Sequence, residues 1–268
     1  VGGVCDRGIV RARNEDAMAL SSSDDGTRAV LVVCDGVTTA PDSDRASLEA
    51  AGRACDQLTG EPRPAGSPAQ RLTVWQDALV RACRDANAET LAVARTLGDP
   101  PEPPSCTFVA AVRDHDLVVV AWCGDSRAYW LADDHARSAQ LTTDHSLGTE
   151  MIRAGRSREE AEADPACHTI TRWLGADSVD PTPEVHTMSV DGPGWLALVS
   201  DGMWNEASST EQLHALVAQA IAGGATTPTS IAESLAAFAN ERGGHDNITV
   251  ALARCEPQRR GSAPVEPQ

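Results

Sequence analysis

RAVLVVCDG, at residues 28–36, is a short apolar run that leads directly into an aspartate and a glycine. A run of this length, rich in valine and apolar at nearly every position, predicts a β-strand that is covered on both faces. The same pattern recurs in LVVVAWCGD at 117–125 and in WLALVSDG at 195–202. These segments predict a sheet-rich core with an acidic residue near the end of each strand.

Two further apolar runs, TFVAAV at 107–112 and ITVAL at 248–252, complete the predicted strands, and DHD at 114–116 predicts a hairpin turn. Helices are predicted between the strands, because apolar residues there recur at helical spacing and capping or breaking residues mark the ends. We expect them at about 43–59 and 70–97, as a pair within 146–164, and at about 209–222 and 228–241.

Four aspartates occupy the same kind of position relative to these strands. Asp35, Asp125 and Asp201 follow predicted strands, and Asp246 precedes the strand at 248–252. In an antiparallel sheet the end of one strand lies beside the start of its neighbour, so we expect the four to gather at one edge. A single Asp-Gly after a strand is usually only a turn, but four such junctions favour a functional site.

A buried group of carboxylates is unstable unless it is protonated or binds a cation, because like charges repel and burial removes hydration. Oxygen ligands select hard ions such as Mg²⁺ or Mn²⁺ and accept either. Two such ions about 4 Å apart can activate a water for in-line attack on phosphorus. Arg11 lies in RARNED at 11–16, next to Glu15 and Asp16, where its guanidinium could clamp a phosphate.

The composition restricts the classes of partner. The net charge is −17 and every basic residue is arginine, which argues against nonspecific binding to nucleic acid or an anionic membrane. No apolar run approaches the roughly 18 residues of a membrane span, and we see no signal peptide. The eight cysteines include no Cys-x-x-Cys pair, which indicates buried, reduced thiols in a cytoplasmic protein rather than a zinc site.

Seven segments in order resemble the metal-dependent serine/threonine protein phosphatases of the PPM, or type 2C, family in its bacterial form. They are DRGIVRARNEDA (6–17), VCDG (33–36), CGDSRAYWL (123–131), LTTDHSL (141–147), HTITRWLG (168–175), LVSDGMWNEAS (198–208) and GGHDNITVAL (243–252). The resemblance implies an α+β fold, a four-layer α-β-β-α sandwich in which two packed antiparallel sheets are flanked by helices. It implies a catalytic domain over 1–255, and we expect 256–268 to be a disordered tail.

The resemblance also implies roles for individual residues. Asp35 would bridge two Mn²⁺ or Mg²⁺ ions, with the carbonyl of Gly36 contributing to one of them. The resemblance also implies that Asp201 and Asp246 bind the first metal, that Glu15 and Asp16 bind the second metal or its waters, and that Asp125 with Asp201 forms the third metal site of bacterial members. It places Arg11 on the substrate phosphate. It makes Asn247 and Ser126 supporting residues. Arg11, Asp16 and Asp35 would carry the catalysis.

The sequence departs from the family after Gly36. Val37 stands where some relatives carry a histidine that protonates the leaving group, and the turn Val37-Thr38-Thr39 lacks the usual glycines. We therefore keep a second hypothesis, a catalytically weak module of the same fold that binds phosphoproteins. A third, a serine esterase built on Gly-Asp-Ser at 124–126, lacks the Asp-x-x-His that it needs near the C-terminus.

The main hypothesis, which the resemblance implies, is an active phosphatase that opposes serine/threonine kinases. Its expected partners are phosphorylated proteins, such as a kinase, its targets or a regulator, and we expect a monomer. His145, His168 and His245 lie near the matching segments, but histidines in such places more often serve as structural hydrogen bonders. The six tryptophans are expected in the core.

Overall fold

The computed structural model describes residues 1–37 and 40–256, and it contains two five-stranded antiparallel sheets and one two-stranded sheet. Sheet 1 contains, in spatial order, β1 (Gly2–Asp6), β12 (Ile248–Cys255), β11 (Gly194–Val199), β7 (Arg127–Ala132) and β8 (Ala139–Gln140). Sheet 2 contains β10 (Glu184–Ser189), β6 (Leu117–Cys123), β5 (Phe108–Asp114), β3 (Arg28–Cys34) and β2 (Ala17–Ser22). The short sheet pairs β4 (Ser105–Cys106) with β9 (Leu174–Gly175).

Five of the seven helices in the described residues cover the outer faces of the two large sheets, and the two between β8 and β9 pack on each other. The seven helices are α1 (Ser43–Gly60), α2 (Pro68–Thr96), α3 (Leu147–Arg153), α4 (Arg158–Glu162), α5 (Asp201–Trp204), α6 (Thr210–Ala222) and α7 (Pro228–Glu241), with one 3₁₀ turn at His135–Arg137. The longest, α2, begins with a capping box between Ser67 and Gln70 and has Pro68 in its first turn. Those features fix its start, because they satisfy amides that have no partner within the helix.

The alternation of side chains along β3 defines the layers. Val30, Val32 and Cys34 point into a core shared with α1 and α2, whereas Leu31 and Val33 point into a core shared with sheet 1. A third core lies between sheet 1 and helices α5 to α7. The order is therefore helices, sheet, sheet, helices, and the predicted four-layer α-β-β-α architecture is confirmed.

The five predicted strands and six predicted helices are all present, with bounds that differ by a few residues. The predicted hairpin turn at 114–116 is confirmed, and its two loop residues are His115 and Asp116, because Asp114 is the last residue of β5. His115 adopts a left-handed conformation with a φ of 60°, as a two-residue hairpin turn requires. The strands that were not predicted include β1, β2 and β10, whose mixed and half-buried side chains give no continuous apolar run.

Two sequence predictions fall outside the described residues: most of the tail at 256–268, and Thr38 and Thr39 of the turn after Gly36. Within residues 1–37 and 40–256, none of the helices combines the length and the apolar character needed to cross a bilayer. The expectation that all six tryptophans lie in the core was wrong for Trp173. This residue is only partly buried and donates a hydrogen bond to Asp177.

Candidate active site

The acidic residues singled out from the sequence all lie at strand junctions. Asp35 follows β3 directly, Asp125 lies two residues after β6, and Asp201 opens α5 just beyond β11. Asp246 lies two residues before β12, and Asp16 immediately precedes β2.

Strand register brings these junctions to one edge of the sandwich. In sheet 2, Ala17 at the start of β2 lies opposite Cys34 at the end of β3. In sheet 1, Val199 at the end of β11 lies opposite Val250 near the start of β12. The antiparallel pairing thus gathers the strand ends and starts that carry the carboxylates, as the sequence predicted.

Asp16 is the most constrained carboxylate of the group. Its Oδ2 accepts hydrogen bonds from the hydroxyls of Ser200 and Thr249, each at 2.7 Å. Its Oδ1 is buried and has no hydrogen-bond partner among the described residues. Burial, with the charge of Asp246, raises the pKa of Asp16 to about 6, although the hydroxyls lower it in part.

Asp35 lies at the centre of the acidic group. Burial raises the pKa of Asp35 well above its ordinary value, and the charges of Asp16, Asp201, Asp125 and Asp246 raise it further. Four carboxylates close enough to act on half-buried Asp35 indicate that these junctions converge. The unfavourable charge density is what a bound cation would relieve.

The backbone around Asp35 is fixed by a pair of hydroxyl residues. The amide of Asp35 donates to Oγ1 of Thr107 at 3.0 Å, and that oxygen lies 2.7 Å from Oγ of Ser126. Ser126 follows Asp125, so this link joins the two junctions that carry Asp35 and Asp125. The supporting role predicted for Ser126 therefore acts through Thr107, which the sequence analysis did not single out.

Asp125 is buried and Asp201 is half-buried, and both have like charges nearby. Burial, followed by the charges of Asp201 and Asp144, raises the pKa of Asp125 well above its ordinary value. Burial, followed by the charges of Asp246 and Asp16, raises the pKa of Asp201 to about 7.

Arg11 supplies positive charge at this edge. Its Nη2 donates to Oδ2 of Asp246 at 2.6 Å, and that bond raises the pKa of Arg11. Its Nε is buried and has no acceptor in the described part of the chain. A buried guanidinium nitrogen without an acceptor is a donor that an anionic ligand could use.

Asn247 holds the segment that carries Arg11 and Glu15. Its Oδ1 accepts from the amide of Glu15 at 2.8 Å, and its Nδ2 donates to the carbonyls of Arg7 and Arg13 at 2.8 and 2.9 Å. The supporting role predicted for Asn247 therefore has a structural basis in the folding of the 7–15 loop.

Gly36 occupies a position where a side chain would not fit. Its amide donates to the carbonyl of Glu15 at 3.1 Å, and a Cβ at Gly36 would lie 2.5 Å from that oxygen. The Glu15 carbonyl also accepts from the hydroxyl of Ser47 at 2.5 Å. Gly36 therefore allows the Glu15 backbone to approach the end of β3.

The histidines near the matching segments have ordinary structural contacts. Nδ1 of buried His145 accepts from the amide of Gly124 at 3.0 Å, next to Asp125. The ring of His168 lies 5.9 Å from the ring of Trp204. The structural hydrogen-bonding role expected of His145 is confirmed, because it supports the turn that carries Asp125.

The donor chemistry of the site fits a divalent cation. Among residues 1–37 and 40–256, however, no group of three or more His, Cys, Asp or Glu side chains is arranged as a ready set of metal ligands. Two of the carboxylates have other partners: Asp246 is paired with Arg11, and Oδ2 of Asp16 is taken by two hydroxyls. Three features support the fit: the donors are all oxygen atoms, the clustered carboxylates repel one another, and Oδ1 of Asp16 has no partner among the described residues.

A polar cleft of about 860 Å³ reaches α3 and α4, and none of the clustered carboxylates is among its lining residues. Its lining includes Arg127, Asp144, Arg153 and Trp204. Arg127 forms a 2.7 Å ion pair with Asp144 and stacks over Trp204 at 3.8 Å. A second, more apolar cleft lies between α6 and the outer face of sheet 1 and contains none of the clustered carboxylates.

Comparison with known proteins identifies the family. Residues 9–240 match the family described as protein phosphatase 2C. The serine/threonine phosphatase stp of Listeria innocua is 32% identical over 259 residues, which are 96% of each chain. The solved structure of serine/threonine phosphatase Stp1 from Staphylococcus aureus superposes with a TM-score of 0.76 at 25% identity, over 95% of this chain and 94% of that one.

The structure of the serine/threonine phosphatase PstP/Ppp of Mycobacterium tuberculosis gives a TM-score of 0.74 at 26% identity, over 95% of this chain and 97% of that one. The chain belongs to the protein phosphatase 2C family.

Proposed function

We propose that this protein removes phosphate from phosphoserine and phosphothreonine in other proteins, using divalent cations held at the acidic edge of the sandwich. The observation that carries the proposal is the convergence of buried and half-buried carboxylates on Asp35, next to a guanidinium with an unpaired buried nitrogen. Family membership supports the reaction class. Both the carboxylates and the guanidinium suit a reaction on a phosphate ester.

The carboxylates would hold Mn²⁺ or Mg²⁺. Asp35 would bridge two ions with help from the Gly36 carbonyl. The remaining ligands would be Asp201 and Asp246 at the first ion, Glu15 and Asp16 at the second ion or its waters, and Asp125 with Asp201 at a third. When bound, the ions supply Lewis-acid activation of water and neutralise phosphate charge.

The chain's own groups would bind and orient the substrate. Arg11 would bind the phosphate by donating charged hydrogen bonds to its oxygens. Its Nε and Nη1 are available for this, while Nη2 stays bonded to Asp246. Ser200 and Thr249 would keep Asp16 in one orientation. Val37 offers no proton to the departing serine or threonine alkoxide, so we expect faster hydrolysis of aryl phosphates, whose leaving groups need less acid assistance.

The expected substrates are phosphorylated proteins, such as a serine/threonine kinase or the targets of that kinase. The protein would then oppose the kinase in a bacterial signalling pathway, acting as a monomer in the cytoplasm. The strong negative charge disfavours nucleic acid as a partner.

The test is hydrolysis of a phosphothreonine peptide by the wild type and by Asp35→Asn, with Mn²⁺, with Mg²⁺ and with a chelator. We expect metal-dependent turnover that the chelator abolishes, and a loss of at least about 100-fold in Asp35→Asn. Asp191→Asn is the matched control, since the Asp191 side chain is 89% exposed. Equal activity of the wild type and Asp35→Asn would refute the proposal.

One observation favours the second candidate, a phosphoprotein-binding module with little catalysis. In the described part of the chain the acidic side chains do not form a ready metal site, and Asp246 is paired with Arg11. Calorimetry distinguishes the two functions. Tight binding of the phosphopeptide, without metal binding and without turnover, would support the module.

A further inference from the structure

We propose that residues 7–13, here called the lip, form a docking surface for the substrate segment next to the phosphorylated residue, and that it selects apolar and acidic side chains in that segment. This inference rests on the proposed function and adds a substrate class to it. The sequence of the lip is RGIVRAR. The lip borders the site because it contains Arg11, the proposed phosphate ligand.

The lip presents two large apolar side chains to solvent. The exposed fractions of Ile9 and Val10 are 62% and 63%. A single exposed apolar residue needs no explanation, but two adjacent ones beside a polar site form a surface that a partner can cover. Their neighbour Arg11 is bonded to Asp246 at 2.6 Å, which places this surface at the mouth of the acidic group.

The lip is held rigidly from several directions. The amides of Ile9 and Val10 both donate to the carbonyl of Gly244, at 2.9 and 3.0 Å. Asn247 clamps its two ends, because Nδ2 donates to the carbonyls of both Arg7 and Arg13. A preordered surface loses little conformational entropy when a partner binds, which favours a recognition role.

Gly8 shows how closely the lip approaches the site. Its φ of 73° is in the left-handed region, and a Cβ there would lie 2.1 Å from the carbonyl oxygen of Asp246. The backbone of the lip therefore packs directly on the segment that carries a clustered carboxylate. The backbone at Ile9 and Val10 cannot move away from this segment without breaking that packing and the bonds to Gly244.

The charge of the lip identifies its occupant. Among the described residues, Arg11 is the only one of the three lip arginines in an ion pair with a carboxylate. Arg7 donates to the carbonyl of Arg11, and Arg13 is exposed. Uncompensated positive charge on a protein of net charge −17 is complementary to acidic side chains. The occupant is therefore an extended phosphopeptide segment with an apolar residue and an acidic residue close to the phosphate.

The experiment compares a substrate that has flanking residues with one that has none. The double variant Ile9→Ser/Val10→Ser is assayed on p-nitrophenyl phosphate and on a phosphothreonine peptide with leucine and glutamate neighbours. We expect KM for the peptide to rise about tenfold with kcat within about twofold, because apolar contact is lost while the reacting groups remain. Activity on p-nitrophenyl phosphate should be unchanged within about twofold.

Two controls make the result specific. Ile221→Ser changes an exposed apolar residue at the far end of α6 and should leave both substrates unaffected. A peptide with alanine in place of leucine should be hydrolysed equally by the wild type and the double variant. Arg13→Gln should lower the preference for the glutamate-containing peptide about threefold, and added salt should remove the difference.

Each remaining outcome opposes the inference. An unchanged peptide KM in the double variant would show that the lip does not dock substrate, and an equal loss on both substrates would show that it serves folding or chemistry. If the wild type hydrolyses neither substrate, the proposed function fails instead. In that case the docking role of the lip is tested by fluorescence anisotropy, which measures the affinity of a labelled phosphopeptide. We expect the peptide to bind the wild type about tenfold more tightly than the double variant.

Discussion

Ser200 and Asp16 are 184 positions apart in the chain, yet the Ser200 hydroxyl donates a 2.7 Å hydrogen bond to Oδ2 of Asp16. Thr249 donates to the same oxygen at the same distance. The two bonds use Oδ2 fully and leave Oδ1 as the buried oxygen without a partner among the described residues. A carboxylate held in this way is preorganised to use its second oxygen as a ligand.

The first prediction concerns Thr249→Val, which removes one of these donors with little change in shape. We expect Mn²⁺ affinity and metal-dependent activity to fall about 10- to 100-fold, because residues that orient metal ligands contribute on that scale. Calorimetric titration with Mn²⁺ measures it directly. Thr226→Val, at an exposed position, is the control. Unaltered Mn²⁺ affinity in Thr249→Val would show that Asp16 is not oriented for a metal.

The second prediction separates the two nitrogens of His145. Nδ1 accepts from the amide of Gly124 at 3.0 Å, while Nε2 lies 3.0 Å from Nη1 of Arg172 and 3.3 Å from Oε1 of Glu184. Burial, followed by the charge of Arg172, lowers the pKa of His145, which favours the neutral ring. Because Nδ1 accepts from the Gly124 amide, we assign the proton of the neutral ring to Nε2. Asn at this position can replace the Nδ1 acceptor, whereas Gln replaces only the Nε2 donor.

We therefore expect His145→Asn to keep activity within about fivefold of the wild type and His145→Gln to lose at least about tenfold more. Leaving the Gly124 amide without a partner should also cost about 1–3 kcal/mol of unfolding free energy. Phosphopeptide hydrolysis and denaturant unfolding measure the two effects. The opposite order of the variants would mean that the Glu184 contact is the important one and that the Gly124 turn does not depend on His145.

The positions of the clustered carboxylates were predictable because each follows or precedes a buried strand. Local sequence was enough for Asp35 and Asp201, since a short apolar run that leads into Asp-Gly is a recognisable pattern. The seven matching segments then gave the layer order, which periodicity alone did not.

The residues that orient the carboxylates were harder to find, for a physical reason. Thr107, Ser200 and Thr249 are small hydroxyl residues in or beside apolar strands, where such residues are common. Their role depends on which distant strand end they face, and register between strands is set by the whole sandwich. Of these three residues, Ser200 alone had a local signal in the sequence, because it directly precedes Asp201.

The third prediction uses two glycines that differ in their surroundings. A Cβ at Gly36 would lie 2.5 Å from the Glu15 carbonyl oxygen, whereas a Cβ at Gly52, in α1, would meet nothing within 4 Å. Gly36→Ala should therefore destabilise the fold by about 1–3 kcal/mol and reduce activity, because the Glu15 backbone must move. Gly52→Ala should instead stabilise it by about 0.5–1 kcal/mol.

Chemical denaturation of both variants and phosphopeptide hydrolysis check the third prediction. The comparison is informative because the substitution is the same and only the environment differs. If Gly36→Ala were as stable and as active as the wild type, the close approach of Glu15 to the end of β3 would have no role in the site.

The fourth prediction concerns Asp114, a fully buried carboxylate at the far end of β5. It accepts hydrogen bonds from Trp75 at 3.0 Å and from Arg71 at 3.3 Å, and His115 lies 2.9 Å away. Burial alone would raise the pKa of Asp114, but the bonds from Trp75, Arg71 and His115 outweigh it. The pKa of Asp114 is therefore lower than its ordinary value of 3.8.

A carboxylate whose pKa is lower in the folded state stabilises the fold above its unfolded pKa, and that stabilisation is lost as pH falls through the folded pKa. Asp114→Asn should reduce the free energy of unfolding by about 3 kcal/mol at pH 7, since it leaves Arg71 and His115 without their carboxylate. The gap between the wild type and the variant should stay constant down to about pH 4 and then narrow. Denaturant unfolding from pH 7 to pH 3 measures this gap. A gap that stays the same below pH 4 would show that the buried charge of Asp114 does not stabilise the hairpin end of sheet 2.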